Sequence, residues 1–111
     1  RGVILATELQ SELRRLEQTI RWHGEKAAAL PSWGEWPKLG RPPEISQLLI
    51  VRRTRATREV VAKFGRQLRA AYPAHPDDAI EALSKPDATW PGAALLWAEV
   101  QGSRARILGA P

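Results

Sequence analysis

The chain has 111 residues, of which 43% are hydrophobic and 26% charged, and its formal net charge at pH 7 is +5. This length suits one domain with a sizeable core, and the composition excludes the disordered class, which is poor in hydrophobic residues. The absence of cysteine excludes disulfide bonds, thiolate catalysis and thiolate metal sites. No apolar run approaches the roughly 18 residues of a membrane-spanning helix. We therefore expect a soluble, cytoplasmic protein with no membrane partner.

The N-terminal segment has the apolar spacing of an amphipathic helix. Residues spaced four and three apart run from Leu9 to Leu30 and are apolar except for His23, which predicts a helix over residues 3–30. Four of them, named here the leucine seam, are Leu9, Leu13, Leu16 and Ile20. The flanking positions show no complementary charge pattern, so a helix partner within the chain is favoured over a second chain.

Residues 31–43, PSWGEWPKLGRPP, contain four prolines and two glycines. Because proline lacks an amide hydrogen and restricts its predecessor, no helix passes through this segment. It is predicted to be a stiff connector rich in tryptophan and proline. A second, basic amphipathic helix is predicted over residues 45–72, although the β-branched residues before Thr54 leave a separate short element open.

The C-terminal third is predicted to contain a short helix and a β-hairpin. Pro76 followed by Asp77 and Asp78 suits the first turn of a helix over residues 77–84. Two short runs around Gln101, Gly102 and Ser103 predict a hairpin over residues 94–108. The expected fold class is therefore mainly α, with two long antiparallel helices joined by the connector, a short third helix and a C-terminal hairpin. Because the sequence lacks methionine even at position 1, we expect residues 1–111 to be a single helical domain from a longer protein.

The predicted second helix carries most of the positive charge. Residues 44–72 contain seven cations and two anions, whereas residues 73–111 contain three and five. On a helical wheel six cations fall within an arc of roughly 140°, opposite Val60, Phe64 and Leu68. These six, named here the basic stripe, are Arg52, Arg55, Arg58, Lys63, Arg66 and Arg69.

A row of cations along a rigid helix suits a phosphate backbone, because each neutralised phosphate releases counterions. The sequence therefore predicts a non-enzymatic accessory or regulatory module that binds nucleic acid, DNA included, through the basic stripe. Dimerisation or protein interaction through the leucine seam is the alternative function. A solvated face that binds nothing is also open, since Glu59 lies four residues from both Arg55 and Lys63 and can pair with them.

An enzyme is not expected. Neither His23 nor His75 has a nucleophile at a suggestive spacing, and no glycine-rich phosphate loop or carboxylate pair is present. His75 with Asp77 and Asp78 offers possible metal ligands, but capping of the following helix explains these residues more simply. No cofactor and no metal site are predicted.

Overall fold

The computed structural model describes residues 3–32, 44–85 and 87–111, which form a four-stranded sheet with helices on both faces. The strands are β1 (Val3–Gln10), β2 (Glu44–Arg52), β3 (Ala94–Gln101) and β4 (Arg104–Leu108). The helices are α1 (Leu16–Ala29), α2 (Arg55–Lys63), α3 (Gly65–Ala71) and α4 (Pro76–Ser84), and a short 3₁₀ turn, Leu30–Ser32, follows α1.

The strands lie side by side in chain order, β1-β2-β3-β4. β1, β2 and β3 are parallel, with Val3 opposite Glu44 and Leu48 opposite Ala94. β4 is antiparallel to β3 and follows it after Gly102 and Ser103. Gly102 has φ +58, a left-handed conformation that suits glycine at the first position of a tight hairpin turn. The sheet is therefore mixed, and β1 and β4 are its two edges.

The break between β2 and α2 is produced by two threonines. The hydroxyl of Thr54 accepts a hydrogen bond from the amide of Thr57 (3.1 Å), and the hydroxyl of Thr57 accepts one from the amide of Thr54 (2.9 Å). Thr57 also donates its hydroxyl to the carbonyl of Arg52 (2.6 Å) and is 1% exposed. These bonds satisfy amides that have no partner within the helix, which fixes its start at Arg55.

The core is divided by the sheet. On one face Leu49, Val51 and Trp97 pack with residues from the start of α1 and from α3, including Leu16 and Leu68. On the other face Leu48, Ala94 and Leu96 pack with Ala79 of α4. Successive strand residues point to opposite faces, so β2 is buried on both sides. Helices α1, α2 and α3 therefore lie on one face and α4 on the other.

A buried hydrogen-bonded pair ties three elements together. His23 is 0% exposed, donates Nε2–H to the carbonyl of Ala6 in β1, and accepts the hydroxyl of Tyr72 at Nδ1 (2.7 Å). This assignment follows from the carbonyl, which can only accept. Burial, with a smaller contribution from the carboxylate of Glu8, raises the pKa of Tyr72 to about 12. β1, α1 and the end of α3 are thus joined by one polar contact inside the core.

The predicted fold class was wrong. The chain forms a mixed α/β structure, not a mainly α domain with two long antiparallel helices. The first half of the predicted helix 3–30 is strand β1 and a loop, and α1 begins only at Leu16. The predicted helix 45–72 contains strand β2, followed by α2 and α3. β1 and β2 form strands because each pairs with residues more than thirty positions away, a contact that outweighs local helical spacing.

The remaining predicted segments differ less from the structure. Helix α4 occupies Pro76–Ser84, against a predicted range of 77–84. β3 and β4 form an antiparallel pair within residues 94–108, as two strands of the larger sheet and not as an appended hairpin. Of the predicted connector 31–43, residues 33–43 lie outside the described part of the chain.

Candidate nucleic-acid interface

Helices α2 and α3 carry five of the six cations of the basic stripe. They are separated by one residue, Phe64, with φ −108 and ψ 28. The amide of Phe64 still bonds to the carbonyl of Val60 (2.9 Å), and the amide of Leu68 bonds to the carbonyl of Phe64 (3.0 Å). The helical pattern of hydrogen bonds therefore continues across the break, and side chains three and four residues apart remain neighbours.

Each of these five cations is exposed, while the larger apolar residues between them pack against the core. Thr57 and Leu68 are buried, and Val60, Val61 and Phe64 are half-buried against the core. The five exposed cations, named here the α2–α3 ridge, are Arg55, Arg58, Lys63, Arg66 and Arg69.

Arg52 does not belong to this ridge. It is the last residue of β2 and pairs with Ala98 of β3. Since it alternates with Val51, it shares the side of β2 occupied by Leu48 and Ile50, which pack on the face of α4. The structure therefore places Arg52 on the face of the sheet opposite α2 and α3, although it too is exposed.

Acidic side chains leave most of the ridge uncovered. Within the described part of the chain, only Arg55 of the five has a carboxylate within 4.0 Å, that of Glu59 at 3.4 Å. The two side chains are 90% and 70% exposed, and such solvated pairs contribute little to stability and break easily. Glu99 instead pairs with Arg53 (2.6 Å) and Arg106 (2.8 Å), outside the ridge.

Two ridge cations lie against the helix surface. The ammonium of Lys63 is 5.5 Å from the centre of the Phe64 ring, a distance at which the ring face attracts a cation. The guanidinium of Arg69 lies over Gly65, where a Cβ would come within 2.9 Å of its Nη1. Both charged groups remain exposed.

A groove runs between the N-terminal end of α1 and the α2–α3 pair, and is named here the α1 groove. Its volume is about 540 Å³. Apolar side chains of Leu13, Leu16, Val60 and Phe64 line it. Its other lining residues are polar or charged: Arg14, Arg15, Glu17, Gln18, Arg21 and Gln67. Lys63 is a helical neighbour of Val60 and Gln67, so the ridge borders this groove.

The sequence reasoning did not single out Arg14, Arg15 and Arg21 as candidate site residues. The signal was weak because residues 1–43 contain seven cations and five anions, so the segment looks almost neutral. Only the packing of the start of α1 beside α2 and α3 brings these arginines to the groove that α2 and α3 also line.

The leucine seam is not a helix face. Leu9 lies in β1 and is 67% exposed, whereas Leu13 precedes α1 and is 6% exposed. Leu16 is 6% exposed and Ile20 packs beside it in the core of the same chain. The four residues therefore do not form one surface that a second chain could cover.

His75 acts as a helix cap. His75 accepts the amide of Asp77 at Nδ1 (3.1 Å) and caps α4. Across residues 3–32, 44–85 and 87–111, no group of three or more His, Asp or Glu side chains is placed to hold a metal ion. No helix in these ranges is long and apolar enough to cross a membrane.

No protein-family model, curated protein or solved structure matches the chain with significance.

Proposed function

We propose that this domain binds nucleic acid through the α2–α3 ridge, as a non-enzymatic accessory or regulatory module. The observation that carries the proposal is that five cations are exposed on one side of adjoining helices and only one has an acidic partner among the described residues. If these cations served to neutralise acids within the fold, they would form ion pairs, as Arg53 and Arg106 do with Glu99.

The spacing of the cations supports a polyanion as the partner. Arg55 and Arg69 are fourteen residues apart, which is roughly 21 Å at the helical rise. Over that length one strand of B-DNA presents about six phosphates. Helical rows of arginine and lysine of this kind contact the backbone and carry no base specificity by themselves, so the proposed contact is independent of sequence.

A cytoplasmic location belongs to the same proposal. Nucleic acid is present there, and a chain without cysteine needs no oxidising compartment. Dimerisation through the leucine seam is not carried further, because Leu13 and Leu16 are buried within the single chain.

The test is binding of a labelled duplex, followed by fluorescence anisotropy over a range of salt concentrations. With up to five phosphate contacts, the slope of log affinity against log salt should lie near −3 to −4.5, about −0.9 per contact. Arg58→Gln combined with Arg66→Gln should reduce the magnitude of the slope by about 2 and weaken binding about tenfold or more at low salt.

The matched control removes two exposed cations elsewhere, with Lys85→Gln and Arg104→Gln. It has the same net charge as the ridge variant, and its affinity and slope should stay close to those of the unmodified chain. Absence of duplex and single-strand binding at about 50 mM salt, or an equal loss in both double variants, would show that the ridge is only a solvated face.

A further inference from the structure

We infer that the α1 groove binds a single-stranded polynucleotide, with unpaired bases against its apolar residues and phosphates against the cations on its two sides. The inference rests on the proposed function and specifies its ligand. A duplex needs only the ridge, because its bases are stacked inside and its phosphates face outward. A single strand can occupy the ridge and the groove together.

The groove has the composition that single strands require. Its accessible apolar surface is formed by half-buried Val60 and the ring of Phe64, while Leu13 and Leu16, each 6% exposed, lie behind them. Aromatic rings accept any base by stacking, and cationic grooves follow the backbone, so proteins combine the two to bind single strands without sequence preference. A volume of about 540 Å³ lies within the range of sites for small ligands.

Charge is placed on both sides of the apolar residues. Arg15 and Arg21 are exposed on the α1 side. Across the groove, the ammonium of Lys63 is 5.5 Å from the centre of the Phe64 ring. A base that stacks on the exposed face of this ring takes the place of the ammonium, which then lies within reach of the phosphate of the same nucleotide.

Two acids, Glu12 and Glu17, lie near the arginines of the groove and do not neutralise them. Arg14 pairs with Glu12 at 3.1 Å, but the side chains are 80% and 65% exposed, so a phosphate can replace the carboxylate at small cost. Glu17 lines the groove and has no cation within 4.0 Å among the described residues. We expect a strand to pass on the side of the arginines, away from Glu17.

The groove has no feature that selects the sugar. The contacts inferred here use phosphates and base faces, and the apolar residues of the groove have no donor or acceptor that would read a 2′-hydroxyl. Single-stranded DNA and RNA should therefore bind with similar affinity.

The experiment compares three labelled probes on the unmodified chain: an oligothymidylate of about 12 nucleotides, the matching oligouridylate and a duplex of equal length. The oligothymidylate should bind at least about fivefold more tightly than the duplex, with the oligouridylate close to it. Inorganic polyphosphate of similar charge, used as a competitor without bases, should displace the oligothymidylate less well than the unlabelled oligonucleotide does.

Two variants locate the binding. Phe64→Leu keeps an apolar side chain but removes the ring, and should weaken oligothymidylate binding about tenfold while duplex affinity stays unchanged. Arg15→Gln combined with Arg21→Gln does not touch the core and should have the same selective effect. The control is again Lys85→Gln with Arg104→Gln, which should change neither affinity.

The outcomes separate the inference from the proposed function. Salt-dependent duplex binding that depends on Arg58 and Arg66, with no preference for single strands and no effect of the groove variants, would overturn the inference and leave the proposed function standing. Polyphosphate competing as well as the oligonucleotide would also overturn it. If none of the probes binds, both fail.

Discussion

The alkaline titration of Tyr72 tests whether β1, α1 and α3 pack as described. Tyr72 is 4% exposed, and its pKa is raised from 10.0 to about 12, first by burial and then by the charge of Glu8. It is the only tyrosine in the chain, so the phenolate absorption band reports this group alone. The band should appear with a midpoint near pH 12 in the native protein and near pH 10 in urea.

The raised pKa has a defined effect on stability. Since the unfolded chain loses the phenolic proton at lower pH than the folded chain, ionisation favours unfolding. The contribution of the neutral Tyr72 is therefore complete below about pH 10 and is lost as the pH rises through about 12. A difference of about two pKa units corresponds to about 3 kcal/mol in the free energy of unfolding.

The variant Tyr72→Phe isolates this effect. At neutral pH it should be less stable by about 1 to 3 kcal/mol, because Nδ1 of the buried His23 loses its donor. Above about pH 10 the difference from the unmodified chain should shrink, since only the latter still has a phenol to ionise. Urea unfolding followed by tryptophan fluorescence measures both curves. A native phenolate midpoint near pH 10, or a difference between the two proteins that does not change with pH, would refute the described packing.

Two further substitutions test local features of the helices that carry the ridge. Thr57→Val should lower the free energy of unfolding by about 1 to 2 kcal/mol, because the buried hydroxyl that completes the cap with Thr54 is lost. The control is Thr89→Val at an exposed position, which should change the free energy of unfolding by less than about 0.5 kcal/mol. Gly65→Ala should leave stability unchanged or raise it by up to about 1 kcal/mol, because alanine restricts the unfolded chain and only the flexible end of Arg69 must move. Chemical denaturation measures both effects, and a loss of more than about 1 kcal/mol in Gly65→Ala would contradict the described position of the guanidinium.

The helices were easier to predict than the strands, for a physical reason. From Arg55 onward, exposed and buried residues alternate with the period of a helix, and this is visible in any local window. The centre of β2 is covered on both faces, so its residues 48–51 form a continuous apolar run that resembles a buried helix. The signal that could have separated them is the pair Thr54 and Thr57, spaced as in a capping box.

The wrong prediction of a helix over residues 3–30 had a different cause. The spacing from Leu9 to Ile20 matches a helix by coincidence, because it runs through the end of a strand, a loop and the start of α1. Val3–Gln10 becomes a strand by pairing with Glu44–Arg52. That pairing joins segments that are distant in sequence, and no periodicity within either segment encodes it.

The exposure of the ridge also depends on topology and not on local sequence. The C-terminal third contains five acids, enough in number to neutralise the ridge. Asp77, Asp78 and Glu81 lie on α4, which packs on the face of the sheet opposite α2 and α3. Glu99 is already shared by two arginines outside the ridge. Among the described residues, no carboxylate of α4 lies within 4.0 Å of a ridge cation, so α4 does not neutralise the positive charge of residues 55–69.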